Sequence, residues 1–507
     1  MADVTGTRSP GTPGTRPPAA RVAEAHRAAV ARLQRAYAEI PPGSRVRLAK
    51  STSNLFRFNG SSPPAGLDVS AFGHVLRVDP AARTAVVGGM TTYEDLADAT
   101  LRHGLMPLVV PQLKTITLGG AVTGLGIEST SLRSGLPHES VTELEILTGD
   151  GRVVTAAAGN EHDALYRGFP NSYGTLGYAL SLTIELEPVL PFVHLRHFRF
   201  GTPEACTEAV AQIAQDGSYR GHRADFVDGT AFSLDEIYLT VGAYSEVAPW
   251  LSDYTRERIY YQSIRGPKED FLTIRDYLWR WDTDWFWCSR AFGVQNPVIR
   301  RAWPRRYRRS DTYRRLVAFD RRHGLSATMN ARRGRPPRED VIQDVEIPVE
   351  RGAEFLRFFA GRVGMSPVWL CPLRLRGTDP GGHSAPRGSA SPGDTPGPPW
   401  PGPRRPGAPR SERAWPLYPL QPGQVYVNFG FWGTVALPLG AADGYYNRQI
   451  EDEVTRLGGH KGLYSTSFYS EDEFSKRYNG PEYAKIKRDY DSQGRLAGLY
   501  EKCVRGK

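Results

Sequence analysis

The sequence predicts an α+β fold in two domains, and three observations carry that expectation. Short strand-like runs surround one clear helix over about the first 170 residues after an N-terminal tail, a mixture that suits an α+β domain. The texture changes at Pro191, where new strands, a further helix and a dense set of tryptophans begin. Between these lies TLGGAVTGLG, Thr117 to Gly126, with four glycines in ten residues.

The chain has 507 residues, 40% of them hydrophobic, enough for two or more domains with large cores. Its start, MADVTGTRSPGTPGTRPPAA, lacks the apolar core of a secretory signal and is expected to be a disordered tail over residues 1–22. No run of about 18 apolar residues predicts a spanning helix. The four cysteines, Cys206, Cys288, Cys371 and Cys503, are far apart and form no C-x-x-C pair. That argues against a metal knuckle or a redox dithiol and for a reduced, cytoplasmic chain that touches a membrane at most peripherally.

Residues from Arg21 to Tyr37 are rich in alanine and carry Val22, Val30 and Leu33 at helical spacing. RVRLAK, HVLRVD and TAVVGG read as short strands. TTYEDLADATLRHGL reads as a helix, capped by Thr91 or Thr92 and stopped at Gly104. PLVVP is a short apolar strand, and the glycine stretch follows as a loop. VTELEILTGDGRVVTA is a hairpin turning at Asp150-Gly151. YGTLGYALSLTIELEPV adds a second glycine turn and a strand. Beyond Pro191, HLRHFRFGTPEACTEAVAQIAQ reads as strand then helix, and EIYLTVGAY as a strand. PVWLCPLRLR and VYVNFGFWG are strands flanking residues 376–413, which hold ten prolines and eight glycines and can form no packed core. YNRQIEDEVTRLGG is a helix ending at glycine, and the tail is mixed helical and polar.

What the glycines do is constrained by what they are not. Gly119 and Gly124 have P-loop separation, but Leu125 and Gly126 stand where Lys and Ser or Thr belong. Gly124 and Gly126 begin a dinucleotide fingerprint that Ser129 breaks. Backbone N–H groups bared by glycine can still cradle a diphosphate; a tight turn in an ordinary sheet is the alternative. No H-E-x-x-H, G-x-S-x-G or Cys/His group at ligand spacing is present, so no metal is indicated. A chain without such nucleophile or metal motifs fits a protein that leaves hard chemistry to an organic cofactor. DYLWRWDTDWFWCSRAFG, with four tryptophans, either fills a core or lines an apolar pocket. The run RRAWPRRYRRSDTYRR, Arg300 to Arg315, sets eight arginines against one aspartate. It is either a solvated face or a peripheral contact with phosphate headgroups; no nucleic-acid module surrounds it.

Residues Pro111 to Gly126, PQLKTITLGGAVTGLG, resemble the flavin loop of the PCMH-type (vanillyl-alcohol-oxidase fold) FAD-binding domains, and YGTLGYALSLTIEL resembles a later strand of that family. Within it, VVPQLKTITLGGAVTGLGIESTSLRSGL is most similar to the Δ24-sterol reductase (Diminuto/seladin) branch. ADFVDGTAFSLDEIYLTVG, FGVQNPVIRRAW, PVWLCPLRL and FYSEDEFSKRY resemble further segments of that branch, in order. The resemblance implies an FAD-binding domain over 23–190, an α+β cap over 191–450 that shapes the substrate pocket, and a C-terminal segment, 451–507, packed back near the flavin. FAD is implied to contact Ser51, Thr52, Ser53 and Asn54 in a first loop that departs from the usual glycine-rich form. The second contact set is Pro111, Thr117, Leu118, Gly119, Gly120, Gly124, Gly126, Ser129, Gly135 and Val141, with Gly174 and Gly177 beyond. Neither loop has the His or Cys that tethers flavin in some members, so the FAD is expected to be noncovalent.

The resemblance further implies an oxidoreductase that takes electrons from NADPH and reduces an isolated C=C bond of a hydrophobic sterol-like or isoprenoid substrate. The sterol reductases carry an N-terminal anchor where this chain has a polar tail, which leaves the Arg300–Arg315 segment as the expected membrane contact. Proton donation to the substrate falls to Glu128, Lys461, Tyr464 or His138 as candidates. Each has a structural alternative: Glu128 as a loop-fixing carboxylate, His138 as a satisfied polar group, Lys461 as a surface cation or a brace for reduced flavin, Tyr464 as a packing ring. Two other functions stay open: a flavin-dependent alcohol or sugar-alcohol oxidase on the same fold, and a non-enzymatic membrane- or phosphate-binding module.

Overall fold

The computed structural model describes residues 18–50, 56, 66–324, 328, 332, 334, 336–376 and 415–505. Residues 1–17 of the expected tail, Ser51 to Asn54 and nearly all of the Pro/Gly-rich insertion lie outside the described residues, while residues 18–22 of that tail are already helical.

The architecture is α+β, built on two large sheets. Helix α1 (Pro18–Ala38) repeats Ala29, Leu33 and Tyr37 at four-residue spacing, and these bury against Phe72, Leu147 and Leu180. Strands β1 (Val75–Asp79) and β2 (Thr84–Gly88) form a hairpin. Helix α2 (Tyr93–Leu101) starts at Thr92, whose side chain accepts from the Asp95 N–H. The strand expected at PLVVP is shifted to β3 (Leu105–Pro107), because Leu105 and Met106 supply its buried pair. Strands β4 (Val141–Leu147) and β5 (Val153–Ala157) form the hairpin that turns at Asp150-Gly151, with Gly151 at φ +80°. Strand β6 (Tyr178–Pro188) completes a sheet ordered β1-β2-β6-β4-β5, with β3 also pairing β6. RVRLAK contributes only Leu48–Ala49, paired in parallel with Leu67–Asp68.

The glycine stretch is not a loop. Leu118–Gly124 is a short helix, α3, because the Thr117 side chain accepts from the Gly120 N–H and caps it. Its other first N–H groups are also paired: Leu118 donates to the Thr91 carbonyl and Gly119 to the Gly89 carbonyl, both at 2.9 Å. Gly119 lacks a side chain because the backbones of α3 and β2's end touch; a Cβ there would lie 2.7 Å from the Gly89 oxygen.

The second sheet has eight strands. They are β7 (Phe192–Phe200), β8 (Phe226–Ala231), β9 (Ile237–Ser245), β10 (Glu269–Thr273), β11 (Arg338–Pro348), β12 (Val368–Leu373), β13 (Tyr426–Ala436) and β14 (His460–Lys461). Their order is β10-β7-β9-β8-β12-β13-β11-β14. Side chains alternate across it. Val341, Val345, Ile347, Leu370, Phe429 and Phe431 face a core closed by α4 (Pro203–Asp216), α5 (Gly352–Arg362) and α6 (Tyr445–Arg456). The intervening residues, among them Asp344, Glu346, Trp369, Asn428 and Trp432, face the other way. After β14, helices α7 (Glu471–Arg477) and α8 (Gly480–Tyr490) return to the first sheet's domain. There Lys487 donates to the Thr175 carbonyl and Lys502 to the Tyr173 carbonyl, each at 2.6 Å.

The tryptophan-rich segment is core. Trp279, Trp281, Trp285 and Trp287 are all buried, and Phe286 stacks between Trp281 and Trp432 at centroid distances of 4.9 and 4.2 Å. Half of the arginine run is internal too. Arg300 is bidentate to Asp284 at 2.7 and 3.0 Å, Arg308 donates to the Thr255 and Arg256 carbonyls, and Arg309 pairs with Glu94 of α2 at 2.7 Å. The exposed remainder is Arg301, Arg305, Arg306 and Arg315, with Val298, Ile299 and Tyr307 beside them.

Gly119→Val should destabilise the apoprotein by about 1–3 kcal/mol or more, since backbone rather than a movable side chain opposes the new atoms. Gly201→Ala, where no atom lies within 4 Å of the new carbon, should stay within about 0.5 kcal/mol of the parent. Urea unfolding of the three proteins checks both.

Candidate functional site

The end of α3 opens toward the second sheet. Gly120 is exposed, and Thr123 and Gly124 to Ile127 keep part of their surface uncovered although the body surrounds them. Tyr173 holds this end in place: its N–H donates to the Thr123 carbonyl at 3.0 Å and its hydroxyl to the Gly124 carbonyl at 2.8 Å. The turn carrying Tyr173 needs Gly174 at φ +75° and Gly177 at φ +144°. A Cβ on Gly177 would also meet the Leu147 carbonyl at 2.7 Å.

Across from Tyr173 lies the open face of β11 and β13. Asp344 and Glu346 of β11, Asn428 and Trp432 of β13, Tyr418, and Tyr464 just after β14 meet here. The Asn428 amide donates to Asp344 at 3.2 Å, and Trp432 Nε1 donates to the Tyr464 hydroxyl at 2.9 Å. Gly430 leaves the room this needs, since a Cβ there would sit 2.5 Å from Asp344 Oδ1 and 2.6 Å from the Trp432 ring. Tyr173 lies close enough to Tyr418 and Tyr464 to act on both phenols electrostatically. Asp344, Trp432 and Tyr464 are each only partly covered, so a chamber unfilled by protein is left in front of this face. Phe56 closes one side, 5.6 Å from Trp285 and 5.9 Å from Tyr464 between ring centroids. The same face of β11 continues through Ile342, Asp340 and Arg338 into a cavity of about 290 Å³, also lined by Phe56 and Ser465.

Burial sets the electrostatics of this chamber. It pushes the Asp344 carboxyl up to about 7, against the Asn428 and Tyr464 hydrogen-bonding groups. Burial, helped by the Asp344 charge, holds Glu346 well above the carboxylate range. Tyr418 and Tyr464 are raised by burial and by the acids they face.

A second cluster joins the two sheets. Arg280 donates to Glu128 at 3.1 Å and to Asp228 of β8 at 2.8 Å, and all three are buried. Trp281 Nε1 donates to Asp228 at 2.9 Å, and the Arg280 guanidinium lies 3.9 Å from the Tyr277 ring centroid. Ser129 Oγ is hydrogen-bonded to the Tyr277 hydroxyl at 2.8 Å. Burial raises the Glu128 carboxyl, Arg280 opposes the rise and Asp228 adds to it; Glu128 Oε2 has no hydrogen-bond partner.

The residues singled out from the sequence divide accordingly. Tyr464 lies on the chamber face, while Gly120 is exposed, Gly124 stands against the Tyr173 ring and Gly126 packs on Pro111 and Pro137. Thr117, Leu118 and Gly119 fix α3 through the N–H pairings above. Pro111 packs against Gly126, and Gly135, at φ +73°, lets Glu139 bend back to the Leu136 N–H. Val141 accepts from the Tyr166 hydroxyl at 2.6 Å. Lys461 stands opposite Val345 in the β11–β14 register, on the face turned away from the chamber. Its ammonium is buried against Glu451 of α6 at 2.6 Å, so as placed here it braces a helix and does not reach the chamber. His138 is buried with neither ring nitrogen paired, 4.6 Å from the Trp415 centroid, and burial lowers it to about 3. A neutral imidazole of that kind is not a proton donor of carboxylic-acid strength near neutral pH. Sequence reasoning passed over Asp344, Glu346, Asn428 and Arg280. The signal for the first three lay in EDVIQDVEIP and YVNFGFW, where polar or small residues alternate with a fully apolar face.

The architecture and the open α3 edge agree with direct comparison. Residues 18–157 match the family described as an FAD binding domain. The chain therefore carries an FAD-binding domain of the PCMH type. It is also similar to Delta(24)-sterol reductases. The Mus musculus and Homo sapiens proteins are each 24% identical over 383 residues, covering 70% of this chain and 61% of theirs. The Arabidopsis thaliana protein is 23% identical over 383 residues, covering 70% and 62%. The chain thus matches somewhat under two thirds of the length of these relatives.

Arg280→Met should cost about 3–5 kcal/mol, because two buried carboxylates lose their shared cation. Adding Glu128→Gln should restore part of that loss, and chemical denaturation of the single and double variants measures it.

Proposed function

We propose that this protein is an FAD-dependent oxidoreductase that reduces an isolated C=C bond of a sterol-like or isoprenoid lipid, with NADPH as electron donor. One observation carries the substrate class: the chamber is walled chiefly by rings, Phe56, Trp432 and Tyr464, with a few acids set among them. Such a surface suits an apolar ligand fixed by few polar contacts. The names of the relatives, Delta(24)-sterol reductases, support the same reading.

The residues present fit a flavin. Besides the open edge at Gly120, Thr123 and Gly124, the buried hydroxyls of Thr91, Thr115 and Ser465 have no protein partner. These groups would hold the cofactor without a covalent tether. FAD, when bound, supplies hydride chemistry that no side chain possesses. This chain's own contribution is to exclude water with the aromatic wall and to orient both ligands on rigid strands.

The polar mouth of the cavity, with Arg338, Asp340 and Asn447, favours a second reading, a flavin-dependent oxidase or dehydrogenase of a polyol. The exposed Val298, Ile299 and Tyr307 beside Arg301, Arg305 and Arg306 are proposed as a peripheral membrane contact. No helix among the described residues is long and apolar enough to cross a membrane.

The visible spectrum of the purified protein under anaerobic conditions, before and after NADPH, separates the readings. A flavin spectrum that bleaches with NADPH supports the reductase. One that persists with NADPH and bleaches with a polyol supports the oxidase, and a colourless protein that takes up no FAD overturns both.

A further inference from the structure

We propose that Asp344 is the acid that delivers the proton to the substrate during saturation of the double bond, with Tyr464 and Asn428 as its positioning residues. The proposal rests on the reductase reading above.

Asp344 is where such an acid has to be. It stands on the chamber face of β11, opposite side-chain-free Gly430, so its carboxyl reaches forward between Trp369 and Trp432. Its strand position is fixed at both edges, by β13 and by the Gly462 N–H donating to the Asp344 carbonyl at 3.0 Å. The Asn428 amide holds one carboxyl oxygen at 3.2 Å, and the Tyr464 phenol, anchored by Trp432, stands beside it. Asp344 is partly exposed where Glu346 is buried, and the same strand face runs on through Ile342 and Asp340 to the 290 Å³ cavity, a route for water.

The other candidates lack one of these properties. Glu128 is turned to Arg280 and fully covered. Lys461 faces the opposite side of the sheet. His138 is held neutral by burial, and a neutral imidazole N–H is a far weaker acid than a carboxylic acid. Glu346 is fully covered and holds its proton too tightly. A phenol raised as far as Tyr464 is a weaker donor than a carboxylic acid near neutrality.

The groups that face Asp344 are mostly acids and phenols. Glu346 neighbours it on β11, Asp340 and Arg338 lie farther along the strand, and Cys371 faces it from β12. Tyr464 adjoins it, with Tyr173 behind; Tyr418 and His460 border Glu346. With burial dominant, Asp344 titrates at about 7 rather than at 3.8, so a large share carries its proton at neutral pH.

The step balances. One alkene carbon receives hydride, with its electron pair, from a dihydroflavin that a nicotinamide has reduced. The π bond breaks, and its pair forms a C–H bond to the proton leaving Asp344. Water from the cavity then reprotonates the carboxylate.

Two measurements test this on wild type, Asp344→Asn and Tyr464→Phe. The first is the melting temperature of the apoproteins from pH 4 to 8, which needs neither flavin nor substrate. Folded wild type binds more protons at Asp344 than the unfolded chain between pH 3.8 and about 7, so this carboxyl makes stability fall as pH rises through that window. Asp344→Asn removes that term. Its melting temperature relative to wild type should therefore climb from pH 4 to 8; a difference independent of pH overturns the proposal.

The second is anaerobic stopped-flow of the FAD-loaded proteins, with NADPH first and then a Δ24-unsaturated sterol in detergent micelles. At pH 7, Asp344→Asn should slow reoxidation by the sterol about 100-fold or more, and far more than it slows reduction by NADPH. The wild-type sterol step should weaken above pH 7, and Tyr464→Phe should move that limb upward, since the phenol lowers the acid. Equal slowing of both half-reactions by Asp344→Asn, or an unchanged sterol step, overturns Asp344 alone. A wild-type flavin that NADPH does not reduce, or that the sterol does not reoxidise, overturns the reductase reading and the acid's role together.

Discussion

One buried guanidinium ties the molecule together. Arg280 bonds Glu128, which follows the cofactor domain's glycine helix, and Asp228, which belongs to the second sheet. Two carboxylates cannot share a dry interior at close range without a cation between them, and one cation does not neutralise both fully. Burial therefore raises Glu128, and the surrounding indoles and phenols complete the hydrogen bonding around Asp228 and Ser129. The register between the two sheets follows from this contact, and with it the distance between the end of α3 and the face of β11.

That distance makes the chamber. The sheets also meet at a second buried pair, Arg133 with Glu187 at 2.6 Å, where the Tyr244 hydroxyl of β9 donates to Glu187 at 3.2 Å. Between and beyond these clamps the walls are rings and short side chains, so space is left where Gly124, Tyr173, Asp344 and Tyr464 look inward. Arg309 on Glu94 adds an outer brace from the arginine run to α2. Much of what reads as a basic surface is thus internal scaffolding, because a guanidinium can satisfy several carbonyls and a carboxylate at once.

The glycines illustrate how one composition serves different ends. In α3 their value is steric: the helix start rests on backbone at Gly89, and its first N–H groups are already paired with protein. The open surface lies one turn later, at Gly120, Thr123 and Gly124, where missing side chains leave room for a flat ligand. The Tyr173 turn needs its glycines for positive φ, so that a tyrosine can grip the helix end from outside.

Strand and helix identities were legible in the sequence wherever one face is apolar and the period is clear, as in β4, β6, β9, β13 and α6, since burial of that face alone determines the element. The FAD-binding segment was legible through its resemblance to PCMH-type flavin loops, whereas its glycines alone also allowed a tight turn, and the core role of aromatics was one of two readings their density allowed. What the sequence by itself determined was therefore the class of fold, the cofactor domain and β13, one of the strands that carry the site; β11 came only with the structure. Which polar residues share a space was decided only by tertiary structure. Asp344, Glu346, Asn428 and Tyr464 come from three separate stretches of chain, and their meeting depends on sheet order and on the side of each strand they occupy. Lys461 is three residues from Tyr464, yet it turns to the far face against Glu451. The reason is physical: a side chain's face follows from strand register, and its proton affinity from the burial that register imposes, and neither can be read from its neighbours in the chain.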